Sequence, residues 1–173
     1  MRLIKCFSGL LAGIVLFAGA AGAAETGDKI GQQLHSFSFA DPQGQQRSLA
    51  DYRGEVVVVK LWATWCGVCR AKWPAYQAMY DEVKDLEGVR FVTLSVFEEL
   101  ATSQSWAEAQ GYDVPLYGNN ISDKGAVSVA GDGEYFIKGT PMMFLLDKDG
   151  IIRDATLGNQ GEISVEEIKA LLG

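Results

Sequence analysis

Between residues 35 and 49, HSFSFADPQGQQRSL, apolar and polar positions alternate around a Pro-Gln-Gly turn, which predicts a short β-hairpin. The pattern then changes. EVVVVKLWA, residues 55–63, is a continuous β-branched and apolar run, as expected of a central strand covered on both faces. From Cys66 to about Asp85 the spacing is helical, with Pro74 inside and expected to kink the helix. Val89 to Val96 is a second buried strand, SQSWAEAQ a short helix closed by Gly111, and VPLY a brief strand. Residues 118–134, rich in Gly, Asn, Asp and Ser, read as a loop with one helical turn. MMFLLD, the turn KDG and IIRDATLG make a hairpin, and Ser164-Val165-Glu166-Glu167 is a capping box for a final helix. With the N-terminal β extension over residues 25–55, this order gives an α/β sandwich whose central mixed sheet is flanked by helices.

The first residues do not fit that domain. Arg2 and Lys5 precede the apolar run FSGLLAGIVLFAGA, and small residues follow. Residues 1–24 therefore read as a signal peptide, with Ala21-Gly22-Ala23 or Gly22-Ala23-Ala24 as the small-x-small cleavage site. An uncleaved membrane anchor is the alternative, but the run is shorter than the roughly 20 residues a spanning helix needs. Cys6 lies before the apolar run, where it does not mark a lipoprotein. The remaining 25–173 form one domain, secreted or periplasmic. Loss of the leader takes the net charge from −7 to −9, since Arg2 and Lys5 are its only charges. A chain this acidic offers no electrostatic footprint for nucleic acid or anionic lipid.

Of three cysteines, one leaves with the leader, and the domain keeps Cys66 and Cys69. A bridge between residues three apart closes almost no loop, so stabilisation is a poor reason for it. The pair sits in WATWCGVCRAKWP, where a buried strand meets a helix. A cysteine in a first helical turn meets unpaired backbone N–H groups and the positive end of the helix dipole. Both favour the thiolate, the attacking species in disulfide exchange. Helical spacing leaves Cys66 exposed at the end as the nucleophile and Cys69 behind it as the resolving thiol. A zinc site would need four ligands, and only Cys66, Cys69 and His35 remain in the domain. His35 reads as a surface residue of the extension. A copper site would need soft ligands, for which Met142 and Met143 are the only hint. No metal and no cofactor beyond the dithiol are expected. Gly139-Thr140-Pro141 opens a strand, where a proline lacks only a ladder donor.

DYRGEVVVVKLWATWCGVCRAKWP, GTPMMFLLDKDG and the terminal helix follow one another as in the extracytoplasmic thioredoxin-like proteins of the TlpA and cytochrome-c-maturation type, which residues 30–173 resemble. The resemblance implies a thioredoxin-like fold, a cis Thr140-Pro141 bond beside the active site, and Cys66 as nucleophile. Trp65, Gly67, Val68, Thr140 and Pro141 then shape the substrate surface. It also implies a disulfide reductase, fed by a membrane electron donor and acting on protein disulfides such as those of apocytochrome c or copper-site cysteines. A thiol oxidase or isomerase is the enzymatic alternative, and a copper metallochaperone using the same cysteines is the non-enzymatic one. The reading is of a monomer.

This chain departs from the family at four places. Lys72 stands where a carboxylate commonly follows the second cysteine by three, and Lys60 where Asp or Asn precedes the first by six. Gly67-Val68 replaces the common Gly-Pro, and residues 118–134 are longer than the usual connection. Lys60 and Lys72 either snorkel to solvent or stay near the sulfurs. A charged lysine there would stabilise thiolate. A desolvated neutral one would be a base for Cys69.

Overall fold

The computed structural model describes residues 26–27, 30–34, 38–118, 126–128, 134–136 and 139–173. Residues 1–24, expected to be a signal peptide, with Cys6, and also His35 and most of 119–133, lie outside the described residues. Among the described residues no helix is long and apolar enough to cross a membrane, and no cluster of His, Cys, Asp and Glu could hold a metal ion.

The chain runs β1 (Thr26–Gly27), β2 (Gln33–Leu34), β3 (Ser38–Ala40), β4 (Gln46–Ser48), a 3-10 turn (Leu49–Tyr52), β5 (Val56–Trp62), α1 (Gly67–Val83), β6 (Val89–Ser95), α2 (Leu100–Gln110), β7 (Leu116–Gly118), β8 (Ala126–Ser128), β9 (Glu134–Phe136), β10 (Met142–Leu146), β11 (Ile152–Leu157) and α3 (Val165–Ala170). One mixed sheet of seven strands has the order β11-β10-β5-β6-β7-β3-β4. The three central strands β5, β6 and β7 are parallel, and the strands outside them pair antiparallel.

The apolar run of β5 is buried along its whole length. Its residues divide by strand alternation. Val57, Val59 and Leu61 join Phe39, Phe144 and Ala107 in one core, while Val56 and Val58 join Tyr76, Met79, Val83 and Ile168 beneath α1 and α3 in another. A sheet covered on both faces needs such continuous apolar strands.

Local signals place the rest. Asp41 caps the β3–β4 turn, its Oδ1 accepting from the Gln43 and Gln45 N–H groups at 3.0 and 2.8 Å. The β10–β11 turn closes on Asp147, whose Oδ1 accepts from Asp149 N and Ile151 N, both at 2.9 Å. Gly150 in that turn has φ +74°, a left-handed conformation that favours glycine. Ser164 caps α3 and Glu167 returns to the Ser164 N–H at 2.8 Å, completing the capping box.

Helix α1 contains Pro74, as the helical spacing expects. Two details differ from the sequence expectations. Helix α2 starts at Leu100 rather than Ser103, and Leu100 packs on Gly118 of β7 so closely that a Cβ on that glycine would lie 3.0 Å from Leu100 Cβ. The segment 118–134, expected to be a loop with one helical turn, instead contributes to an antiparallel pair, β8 with β9 in the register Ala126↔Phe136. Val127, Tyr135 and Phe136 supply the β-branched and aromatic residues that favour a strand.

Candidate active site

Two parallel strands end side by side, β5 at Trp62 and β6 at Ser95. Open α/β sheets present their chemistry beyond such carboxyl ends. After β5 the chain turns through Ala63–Trp65 and enters α1, with Cys66 as its N-cap. Cys66 and Cys69 form a disulfide with Cα atoms 5.2 Å apart. Cys66 Sγ accepts a hydrogen bond from Cys69 N–H at 3.1 Å, so a sulfur occupies the place a serine or aspartate oxygen usually takes at a cap. The two sulfurs are not equivalent. Cys66 keeps 8% exposure and Cys69 none, with Trp62 and Trp73 in the same core.

The Thr140-Pro141 bond is cis. The Thr140 carbonyl oxygen lies 3.6 Å from Cys66 Sγ, a contact across 74 residues of chain. Trp65 and Val68 are exposed beside the disulfide, and Gly67 opens α1 with no atom within 4 Å of where a Cβ would stand.

Sequence reading missed two neighbours. Phe97 is exposed by 40% and faces the 60% exposed Trp65 with ring centroids 6.4 Å apart. It has φ +60°, a left-handed conformation that is costly for an aromatic residue. Next to it, Glu98 holds the turn before Cys66: its carboxylate accepts from Thr64 N at 3.0 Å and from Thr64 Oγ1 at 2.6 Å. The available signal was an apolar residue followed by two acids just past a buried strand, in SVFEEL.

Lys60 is buried, with 1% exposure. Its Nζ lies 3.7 Å from the Tyr76 ring centroid and 4.6 Å from that of Trp73. The Tyr76 hydroxyl is engaged elsewhere, with Thr93 Oγ1 at 2.7 Å. Burial, together with the nearby Lys72 cation, pushes Lys60 down to about 7, against a small opposing effect of Glu162. Lys72 turns toward the segment after β11, donating to Gly161 O at 3.2 Å and pairing with Glu162 Oε1 at 3.4 Å. Neither ammonium has a hydrogen bond to a cysteine sulfur.

Lys60, Lys72, Tyr76, Pro141 and Met143 line a cavity of ≈ 240 Å³ between α1, β10 and the segment leading into α3. Met142, by contrast, is buried in the core.

The AhpC/TSA family model matches residues 30–155. The chain is 31% identical over 145 residues to the thioredoxin-like protein YneN of Bacillus subtilis, covering 83% of this chain and 80% of that one. It is 28% identical over 138 residues to the thiol-disulfide oxidoreductase ResA of Bacillus anthracis, covering 80% and 75%. Among solved structures, a thiol:disulfide interchange protein of the thioredoxin family from Chlorobium tepidum matches with a TM-score of 0.58 and 24% identity, over 85% of this chain and 100% of that one. At that identity the likeness is one of fold.

Proposed function

Because the chain belongs to the AhpC/TSA family, we propose that it is a thiol–disulfide oxidoreductase working outside the cytoplasm as a reductase of disulfides in exported polypeptides. The observation that carries this reading is the asymmetric pair at the start of α1: the cap residue Cys66, expected to be exposed but in fact largely buried, keeps 8% exposure, and Cys69 behind it keeps none. Relatives named as thiol-disulfide oxidoreductases support it. The leader pattern in residues 1–24 supports an extracytoplasmic place. The reductive direction rests on the resemblance to dedicated reductases.

In the reduced protein the Cys69 N–H and the N-terminal end of α1 stabilise a Cys66 thiolate. That thiolate attacks one sulfur of the substrate disulfide. A Cys66–substrate bond forms, the substrate S–S bond breaks, and the first substrate sulfur leaves as thiolate. Cys69 then loses its proton and attacks Cys66 Sγ. The second substrate thiolate leaves, and the Cys66–Cys69 disulfide closes. Two electrons pass from protein to substrate, whose two thiolates take up two protons. A dithiol on a membrane donor restores the reduced pair by the same steps in reverse. Trp65, Val68 and Phe97 offer the substrate an apolar face, and the Thr140 backbone lies beside the attacked sulfur. The protein itself supplies the redox group, and it acts as a monomer.

The test is a pair of single substitutions assayed on a disulfide-bonded polypeptide. Cys66→Ser abolishes exchange. Cys69→Ser still attacks but cannot resolve, so a mixed disulfide accumulates and maps to Cys66. A mixed disulfide on Cys69 in the Cys66→Ser variant, formed at the wild-type rate, would reverse the roles.

A further inference from the structure

Lys60 presents a problem that the exchange chemistry leaves unsolved. An ammonium group removed from water is costly unless it is paired. Among the described residues Lys60 Nζ has no hydrogen bond and no ion pair; its near contacts are the faces of Tyr76 and Trp73, and Glu162 acts on it only at longer range. Ring faces attract a cation but offer it no hydrogen-bond acceptor. The acids at the cavity rim are engaged elsewhere. Glu162 pairs with Lys72 at 3.4 Å, and Glu82 with Lys169 at 2.9 Å. One buried amine in the wall of a cavity is left with no paired acid, only the longer-range influence of Glu162.

The cavity has the size and position for one. Its ≈ 240 Å³ is the space of about eight waters, below the roughly 300 Å³ at which cofactor pockets begin. Met79, Met143 and Ile163 supply apolar wall for a short aliphatic stem. Pro141 forms part of the wall, and its neighbour Thr140 has its carbonyl 3.6 Å from Cys66 Sγ. The Thr140–Pro141 step thus joins the cavity wall to the reacting sulfur, although neither cysteine lines the cavity.

We propose that this cavity is a subsite for an aspartate or glutamate side chain of the polypeptide undergoing exchange, with Lys60 as its counter-ion and Lys72 at its rim. The inference rests on the exchange reading above and names the substrate class of that same site. A bound carboxylate draws a proton onto Lys60, so binding takes up a proton and tightens as the pH falls toward about 7. The other titratable groups facing the cavity are Lys72, Tyr76, Glu82 and Glu162.

The experiment uses two disulfide-bridged peptides that differ only in Glu or Gln beside a cysteine, reduced by the full reduced protein. The Glu peptide is expected to react at least about tenfold faster, the low end of the range for one hydrogen bond to a charged group. The ratio falls to about one in Lys60→Met and persists in Lys148→Gln, which removes a remote charge. Ala75→Glu, which fills the cavity from its own wall, also abolishes the preference while keeping Lys60, and so serves if Lys60→Met fails to fold. A wild-type ratio of one overturns the proposal, as does a ratio that survives Lys60→Met. Added acetate distinguishes the sources of the carboxylate. Acetate inhibition without any preference between the peptides marks a site for free small carboxylates and overturns the proposal. If neither peptide is reduced, the exchange reading fails by itself. The subsite is then decided on the oxidised protein by calorimetric titration with cysteine-free Glu and Gln peptides at pH 6 and 8.5. Tighter Glu binding at pH 6 sustains it, and equal binding overturns it.

Discussion

Replacing Lys60 with methionine should stabilise the protein most where lysine is ordinarily most content. Lys60 is held near 7 in the folded state by burial, against 10.5 for an unperturbed lysine. The unfolded chain therefore binds a proton here that the folded chain releases, and stability rises with pH between those values. The cost of folding is complete below about pH 7 and gone above about 10.5. With these values it is about 4 kcal/mol at pH 7 and falls to less than half of that at pH 9.5. Lys60→Met keeps the stem, removes the charge and escapes this cost. Urea titration of the oxidised protein then gives a higher midpoint for Lys60→Met at pH 7, by about 2 M if the slope is about 2 kcal/mol/M. The advantage shrinks by more than half at pH 9.5. Tyr76 and Tyr117, whose hydroxyls burial holds well above their ordinary range, stay protonated across this window. Equal stability changes for both proteins between pH 7 and 9.5 would refute the account of Lys60 as a buried, unpaired lysine.

Three further outcomes are expected. Lys60→Asn and Lys72→Glu both raise the Cys66 thiol pKa and lower the reduction potential, by up to about 30 mV per pKa unit; Lys72, already paired with Glu162, gives the smaller change, and thiol titration with redox equilibration in glutathione buffers reads both. Trp65→Ala and Phe97→Ala each raise KM for a polypeptide substrate about fivefold, roughly 1 kcal/mol, and leave the Cys66 pKa unmoved; an unchanged KM in both would remove the apolar face from the substrate surface. Ser164→Ala costs about 1 kcal/mol through loss of the α3 capping box, read as a lower thermal midpoint with exchange activity retained.

What the sequence disclosed and what it withheld divide along local and long-range lines. The cysteine pair at the strand–helix junction, the capping box at Ser164 and the hairpin turn at Asp147 are each settled within a few residues, so spacing was enough. The cis bond at Pro141 came only through resemblance, since nothing local separates it from an ordinary X-Pro bond. Lys60 was legible as an oddity in a buried strand, but not its ring-face contacts with α1 or the cavity beside it. The orientation of Lys72 depends on Gly161 and Glu162, some 90 residues away. Phe97 escaped because its exposure follows from a left-handed backbone and from the Thr64–Glu98 clamp, neither of which has a one-residue signature. In 118–134 the polar composition outweighed the short β-prone stretches that pair as β8 and β9.

The central claim is that Cys66 is the attacking thiolate and Cys69 the sheltered partner. Alkylation of the reduced protein across pH 4 to 10, with each cysteine followed by mass spectrometry, tests it most directly. The account predicts that Cys66 reacts first at every pH, with a midpoint below the ordinary thiol value of about 8.5, while Cys69 stays protected until the protein unfolds. Faster labelling of Cys69, or equal labelling of both with an ordinary midpoint, would contradict it.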